Sequence, residues 1–234
     1  MSRAGDGPYM LEARDIAFAY DRRRILDGAT FTVASGETVA LVGANGAGKT
    51  TLMRLLAGLL VPASGTLRVD GFDAFREPIR YRRMLGYLPE STPVEPDLTV
   101  KAYLKFRAKL KGEQSRKIRH RVMEALEACA LVESADVRIR KLSNGQRRRV
   151  ALADALLLRP RILLADDLFA GIDPATRKSL VQAIGTFSQF ASVVLSGHEL
   201  DDLGRCATRF LVLKDGRIME AKGVAGTRVA LLQG

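Results

Sequence analysis

At 234 residues the chain suits one large α/β domain with a sizeable core, or two small lobes, and is too short for a tandem pair of nucleotide-hydrolysing domains. Its 37 Lys and Arg against 26 Asp and Glu give a net charge of +11, which favours anionic partners or simply marks a solvated basic surface. No apolar run nears the roughly 18 residues that span a bilayer, and 2 histidines cannot make a histidine-rich metal site.

In chain order, Met1-Ser2-Arg3-Ala4-Gly5-Asp6 lacks an apolar signal core, and residues 1–8 read as a flexible N-terminus. Residues 10–42 alternate in β fashion, with a turn at Ala34-Ser35-Gly36-Glu37, and predict an antiparallel flap leading into a central sheet. The buried-strand run Val39-Ala40-Leu41-Val42 is followed directly by Gly43-Ala44-Asn45-Gly46-Ala47-Gly48-Lys49-Thr50, which fits GxxxxGK[ST]. Glycines let successive N–H groups converge on one anion, Lys49 reaches the outer phosphates as a point charge, and the Thr50 hydroxyl can ligate Mg²⁺. The helical run from Thr51 to Ala57 turns its positive N-terminus to the same phosphates. A short strand is predicted over Gly65–Gly71, and another ends at Pro89 in Leu85-Gly86-Tyr87-Leu88-Pro89.

From Pro96 the texture turns helical, through Thr99–Phe106 and Ile118–Leu126, and predicts a helical insert of about residues 91–145. His120 lies among Lys117, Arg119 and Arg121 and reads as part of a solvated face. Strands at Arg161–Asp166, Ser192–Ser196 and Phe210–Lys214 alternate with helices, the rhythm of a mostly parallel sheet. Asp166 closes the apolar run Ile162-Leu163-Leu164 at the carboxyl edge of its strand, where such sheets bind ligands, and should hold Mg²⁺ beside Thr50. Asp167 comes next and is expected to point to the other side of the strand. Cys129 and Cys206 have neither metal nor CxxC spacing and read as core thiols. With few aromatics and no basic-aromatic stripe, no nucleic-acid partner is expected.

Leu142-Ser143-Asn144-Gly145-Gln146, then the strand ending Ala165-Asp166-Asp167, then Ala170-Gly171-Ile172-Asp173-Pro174 follow the phosphate loop in order. With that loop they resemble, over nearly the whole chain, the ATPase subunit of ABC transporters: a signature, an acid pair and a D-loop at the family's spacing. The resemblance implies the ABC ATPase fold, an α/β P-loop NTPase with a mostly parallel central sheet, an N-terminal antiparallel β flap and a helical subdomain. It implies a single domain over residues 9–234, the core and flap comprising 9–90 and 146–234. ATP and Mg²⁺ are the implied cofactors, with Gly43 to Thr51 on the phosphates and Tyr20 on the adenine, although Tyr20 also reads as a plain core aromatic. His198, behind the strand Val193-Val194-Leu195-Ser196, matches the switch histidine that contacts the γ-phosphate.

Three departures stand out. Asp167 replaces the usual catalytic glutamate, and about 1 Å of misplacement can cost on the order of 10²-fold in rate, so slow hydrolysis is expected. Glu90 replaces the usual glutamine between the Mg²⁺ site and the helical insert and is still expected to bind the metal with Thr50 and Asp166, within a GYLPE…LTV…YL pattern that resembles exporter-type members. Asn144 replaces a signature glycine. Ser143, Asn144, Gly145 and Gln146 are then implied to face the ATP of an opposite subunit, with Asp173 crossing the same interface.

The resemblance further implies separate transmembrane permease subunits, a homodimer or a heterodimer with a second ATPase subunit, and a place at the cytoplasmic face of the cell membrane. Two rivals stay open at this level. One is a soluble ABC-type ATPase acting on ribosomes or DNA, which usually carries tandem domains or a coiled-coil insertion. The other, favoured by Asp167 and Asn144, is a regulatory module that clamps ATP and barely hydrolyses it.

Overall fold

A computed structural model describes residues 9–91, 93–207 and 209–232. Two sheets organise the chain. The long strands β1 (Tyr9–Tyr20) and β2 (Arg23–Ala34) form an antiparallel hairpin. Onto its β1 edge pack β4 (Ser64–Val69) and then β5 (Phe72–Asp73), giving the order β2-β1-β4-β5. The second sheet contains β3 (Thr38–Val42), β6 (Leu85–Leu88), β7 (Ile162–Ala165), β8 (Ser192–Ser196), β9 (Arg209–Lys214) and β10 (Arg217–Lys222). Its order is β10-β9-β3-β8-β7-β6, with every neighbouring pair parallel except β10 on β9.

The helices are α1 (Lys49–Leu56), α2 (Pro78–Arg83), α3 (Val100–Leu110), α4 (Ser115–Ala128), α5 (Asn144–Leu156), α6 (Pro174–Phe187), α7 (Leu200–Cys206) and α8 (Gly223–Leu232). The short elements α2, β5 and β10 lie outside the elements predicted from periodicity, because each is too brief or too exposed to show a pattern.

Strand alternation divides the second sheet between two cores. Val39, Leu41, Ile162, Leu164, Val194 and Leu211 face the antiparallel sheet and α1. Ala40, Val42, Leu163, Ala165, Val193, Leu195 and Val212 face the other way, into the cluster shared with α3, α4, α5 and α6. Both faces of the parallel strands are therefore covered, which explains why these strands read as unbroken apolar runs.

Polar contacts fix the helical region to α5. The Asp154 carboxylate, on α5, meets Arg107 of α3 at 2.9 Å and Lys111, the residue that ends α3, at 2.8 Å. Burial pulls the Lys111 ammonium below its ordinary value, opposed by Asp154. Asp154→Ala would leave two half-buried cations facing each other; the expected loss of stability is about 2 kcal/mol, between the ranges for surface and buried pairs. Thermal unfolding of Asp154→Ala beside Asp154→Asn measures it, and an unchanged midpoint would contradict the role given to this pair.

Order in the parallel sheet decides where the site lies. Strands β3, β8, β7 and β6 are neighbours, and each runs the same way, so the loops leaving their carboxyl ends emerge side by side. Those four loops carry the phosphate loop, His198, Asp166 with Asp167, and Glu90.

Candidate nucleotide-binding site

A cleft of about 430 Å³ gathers Gly46, Gly48, Lys49, Thr50, Thr51, Glu90, Asp166, Asp167 and His198 on one surface. Gly48 opens α1 with φ 105°, a left-handed backbone that disfavours side chains, and a Cβ there would lie 2.6 Å from Ile25 Cγ2. Lys49 is buried, and its ammonium donates to the carbonyls of Gly43 at 2.8 Å and Ala44 at 3.0 Å. Burial pushes that ammonium below its ordinary value, while Asp167, Asp166 and Glu90 pull it back up. A neighbouring cleft of about 640 Å³ on the same loop is lined by Arg23, Arg24, Ala44, Asn45, Ala47 and Asp215.

Asp166 is 1 % exposed. Its Oδ1 accepts from Ser196 Oγ at 2.6 Å and from Thr50 Oγ1 at 3.4 Å, and its Oδ2 has no hydrogen-bond partner among the described residues. The expectation that Asp167 points away across the strand fails. β7 ends at Ala165, so strand alternation no longer governs the acid pair, and Asp167 adopts φ 47° in the turn that follows. Both carboxylates thus line the same cleft. The Asp167 N–H donates to Ser196 Oγ at 2.9 Å, its Oδ2 lies 3.8 Å from His198 Nε2, and its Oδ1 is buried without a partner.

Burial pushes the Asp167 carboxyl above its ordinary value; His198 opposes this, and Glu199, Glu90 and Asp166 add to it. A base of raised pKa holds a proton better, so the site favours proton acceptance at this carboxylate.

The signature residues are not part of this cleft. Ser143 caps α5, accepting from the Gln146 N–H at 3.2 Å, while the Gln146 side chain accepts from the Ser143 N–H at 2.9 Å, a reciprocal capping box. Asn144 is the first helical residue and is exposed with Ser143. Gly145 is buried; a Cβ there would sit 2.5 Å from Thr176 Oγ1. Thr176 is in turn held by Asp173, which caps α6 through the Thr176 N–H at 3.0 Å and hydroxyl at 2.7 Å. The signature and the D-loop are therefore joined, and neither Ser143 to Gln146 nor Asp173 lines the cleft of its own phosphate loop.

Tyr20 is 44 % exposed at the hairpin end and packs edge-on against Phe18 with ring centroids 4.9 Å apart. It lines neither cleft; Arg23 and Ile25 do.

The family model described as ABC transporter matches residues 26–170. The chain belongs to the ABC transporter family. It is 32% identical over 221 residues to Nod factor export ATP-binding protein I of Paraburkholderia xenovorans, covering 94% of this chain and 72% of that one. Over 219 residues it is 36% identical to the cobalt import ATP-binding protein CbiO of Syntrophus aciditrophicus, covering 90% and 77%. Among solved structures it resembles the dimeric post-hydrolysis state of the ATP-binding cassette MJ0796 bound to ADP and Pi, with TM-score 0.81, 25% identity, and coverage of 91% and 98%. As an ATP-binding subunit of this family the chain is an ATPase that uses ATP and Mg²⁺.

The residues present fit that metal. Asp166 Oδ2 is a buried acceptor without a donor, and the Thr50 hydroxyl lies beside the same carboxylate. Mg²⁺ is usually bound through one or two carboxylates together with phosphates and water, and Asp166 can supply such a carboxylate.

Two arginines of the ABC ATPase escaped the motif reading. Arg177 on α6 donates to the Ile172 carbonyl at 3.1 Å, to Asp202 at 3.0 Å and to Glu199 at 3.0 Å, joining the D-loop to the segment behind His198. Arg148 on α5 is 4 % exposed and reaches the main chain at Glu90 and at both acids. The available signal is its register: position 148 falls on the buried face of α5 with Gly145 and Leu152.

Proposed function

We propose that the chain is the ATP-driven engine of an exporter, working as a homodimer at the cytoplasmic face of a membrane beneath separate transmembrane subunits. One observation carries the dimer: phosphate loop, acid pair and switch histidine converge in one cleft, whereas the capped N-terminus of the signature helix, Ser143 and Asn144, is exposed and does not line that cleft. A second copy would bring its Ser143, Asn144, Gly145 and Gln146 to the γ-phosphate, and its Asp173 across the same junction. Binding ATP closes the pair and hydrolysis reopens it.

Within the cleft, Gly43 to Thr51 would cradle the phosphates, Lys49 would neutralise the outermost ones, and Tyr20 would stack on the base once nucleotide is present. Mg²⁺ held by Thr50 and Asp166, with Glu90 beside them, would offset the charge developing on the transferred phosphoryl group. Asp167 accepts a proton from the attacking water, and His198, 3.8 Å from Asp167, contacts the γ-phosphate. Residues 91–145 would form a helical lobe against a core of 9–90 and 146–234. Residues 1–8 lie outside the described residues.

Export is supported by two things: the Gly86–Glu90 and Leu98–Leu104 segments resemble exporter-type members, and relatives carry names such as Nod factor export and linearmycin resistance. The cobalt-import relative marks the opposite direction, so direction needs its own measurement. In everted membrane vesicles, with the ATP-binding face outward, ATP should drive the permease's cargo into the lumen; ATP-driven loss from preloaded vesicles would show import.

The permease should dock where the Glu90 segment meets α3. Glu95 is exposed there, and Phe106 is an exposed aromatic farther along α3. Glu95→Lys and Phe106→Ser should each weaken co-purification with the membrane subunit about tenfold and leave ATPase activity without permease intact, as expected for residues at the centre of an interface. Cross-links that map instead to the β1–β2 hairpin would contradict this placement. Purification from membranes with a permease, and not with ribosomes or DNA, is the result expected of the whole reading.

A further inference from the structure

Arg148 is a cation buried without a carboxylate contact of its own. Each hydrogen bond it makes among the described residues ends on a main-chain carbonyl: Pro89 at 2.5 Å, Glu90 at 2.9 Å, Asp166 at 2.6 Å and Asp167 at 3.1 Å. Its Nε is buried and unpartnered. Burying a charge this way is costly, and an apolar side chain could fill the same space on α5. The four carbonyls explain what the charge does. β6 ends at Leu88 and β7 at Ala165, so beyond the ladder the two strand ends lose their neighbours' regular pairing. One planar guanidinium takes over, NH1 holding the Glu90 side and NH2 the Asp166–Asp167 side.

We propose that Arg148 is a positioning residue that ties the signature helix to the hydrolytic loops and offsets the charge that Glu90 adds to the site. This rests on the reading in which Asp167 and Glu90 act on the nucleotide and Ser143 meets the partner's ATP. Ser143 caps the helix that carries Arg148, so a movement of α5 on contact with the partner's γ-phosphate is carried to the backbone at Pro89–Glu90 and Asp166–Asp167 through four hydrogen bonds. The second part concerns charge: Asp166, Asp167 and Glu90 line one cleft, Lys49 faces them from the phosphate loop, and Arg148 is the buried cation on the α5 side.

The test is a double-mutant cycle on the full chain with Mg²⁺ and ATP, reading kcat, nucleotide affinity and the unfolding midpoint. Arg148→Gln should lower kcat about 10²-fold, since displacing a reacting group by about 1 Å costs that much, with nucleotide affinity changed less than about threefold because the phosphate loop is untouched. In the Glu90→Gln background the same substitution should cost about tenfold less, reflecting coupling between groups that share one site. Arg148→Lys keeps the charge but lacks the fork, and should recover part of the loss. It also keeps the positioning role testable if Arg148→Gln does not fold: Arg148→Lys must then lose at least about tenfold in kcat, and about the same factor in Glu90→Gln because its charge is kept.

An equal loss for Arg148→Gln in both backgrounds, or a kcat that stays at the parental level in Arg148→Gln or Arg148→Lys, overturns the inference. Asp167→Asn serves as the control. If it turns over at the parental rate, the reading of the acids is at fault; if it stops turnover while Arg148→Gln does not, only the role of Arg148 is lost.

Discussion

Asp167→Asn is expected to cut steady-state hydrolysis by about 10²–10⁴-fold, the usual worth of general-base assistance, while ATP and Mg²⁺ still bind. The Asp167 carboxylate has the properties of a base: burial first, then Glu199, Glu90 and Asp166, raise its affinity for a proton against the opposing pull of His198, and its Oδ1 is free of protein donors. The amide keeps the shape and removes the proton affinity, whereas Asp166 retains its contacts with Ser196 and Thr50. Asp167→Glu probes reach. The left-handed turn, φ 47°, already brings the shorter side chain into the cleft, so a site built around aspartate should slow with the longer acid. A faster Asp167→Glu enzyme would mean that the shorter arm is what limits the rate. A parental rate in Asp167→Asn would remove Asp167 from the mechanism.

Lys49→Ala and Ser143→Arg should separate binding from pairing. Lys49 is the buried cation of the phosphate loop, and its loss should weaken nucleotide binding by about 10²-fold or more, since charge-assisted hydrogen bonds contribute about 1.5–3 kcal/mol each. Ser143 is exposed and lies outside the cleft, so Ser143→Arg should leave ATP binding to one chain unchanged. It removes the cap on α5, for which about 1 kcal/mol of stability is the ordinary cost, so the unfolding midpoint must be followed alongside. ATP titrations by fluorescence or calorimetry give both values, and a Ser143→Arg chain that no longer binds ATP would place the signature in its own chain's site.

Much of this was legible in the chain because the chemistry is local. The phosphate loop announces itself through glycines that a few neighbours explain, as at Gly48, whose positive φ and contact with Ile25 leave no room for a side chain. Asp166 and His198 could be placed from the ends of apolar runs, since parallel strands deliver their loops to one edge. What depends on where an element stops was less legible. Asp167 falls beyond β7, in a turn, and period-two reasoning sends it the wrong way. Tyr20 sits exposed at the β1–β2 hairpin end, outside both clefts, and no local pattern records that position. Arg148 stands in a run of three arginines, Arg147 to Arg149, and only the helical register shows which of them turns inward.

The shared site is the centre of the account, and solution mass tests it most directly. Asp167→Asn, which should hold ATP without consuming it, is measured by light scattering with and without Mg²⁺ and ATP, alone and combined with Ser143→Arg. The expected result is a monomer without nucleotide, a dimer with it, and a monomer under both conditions once Ser143→Arg is added. A chain that stays monomeric while saturated with ATP, or a dimer indifferent to Ser143→Arg, would contradict it.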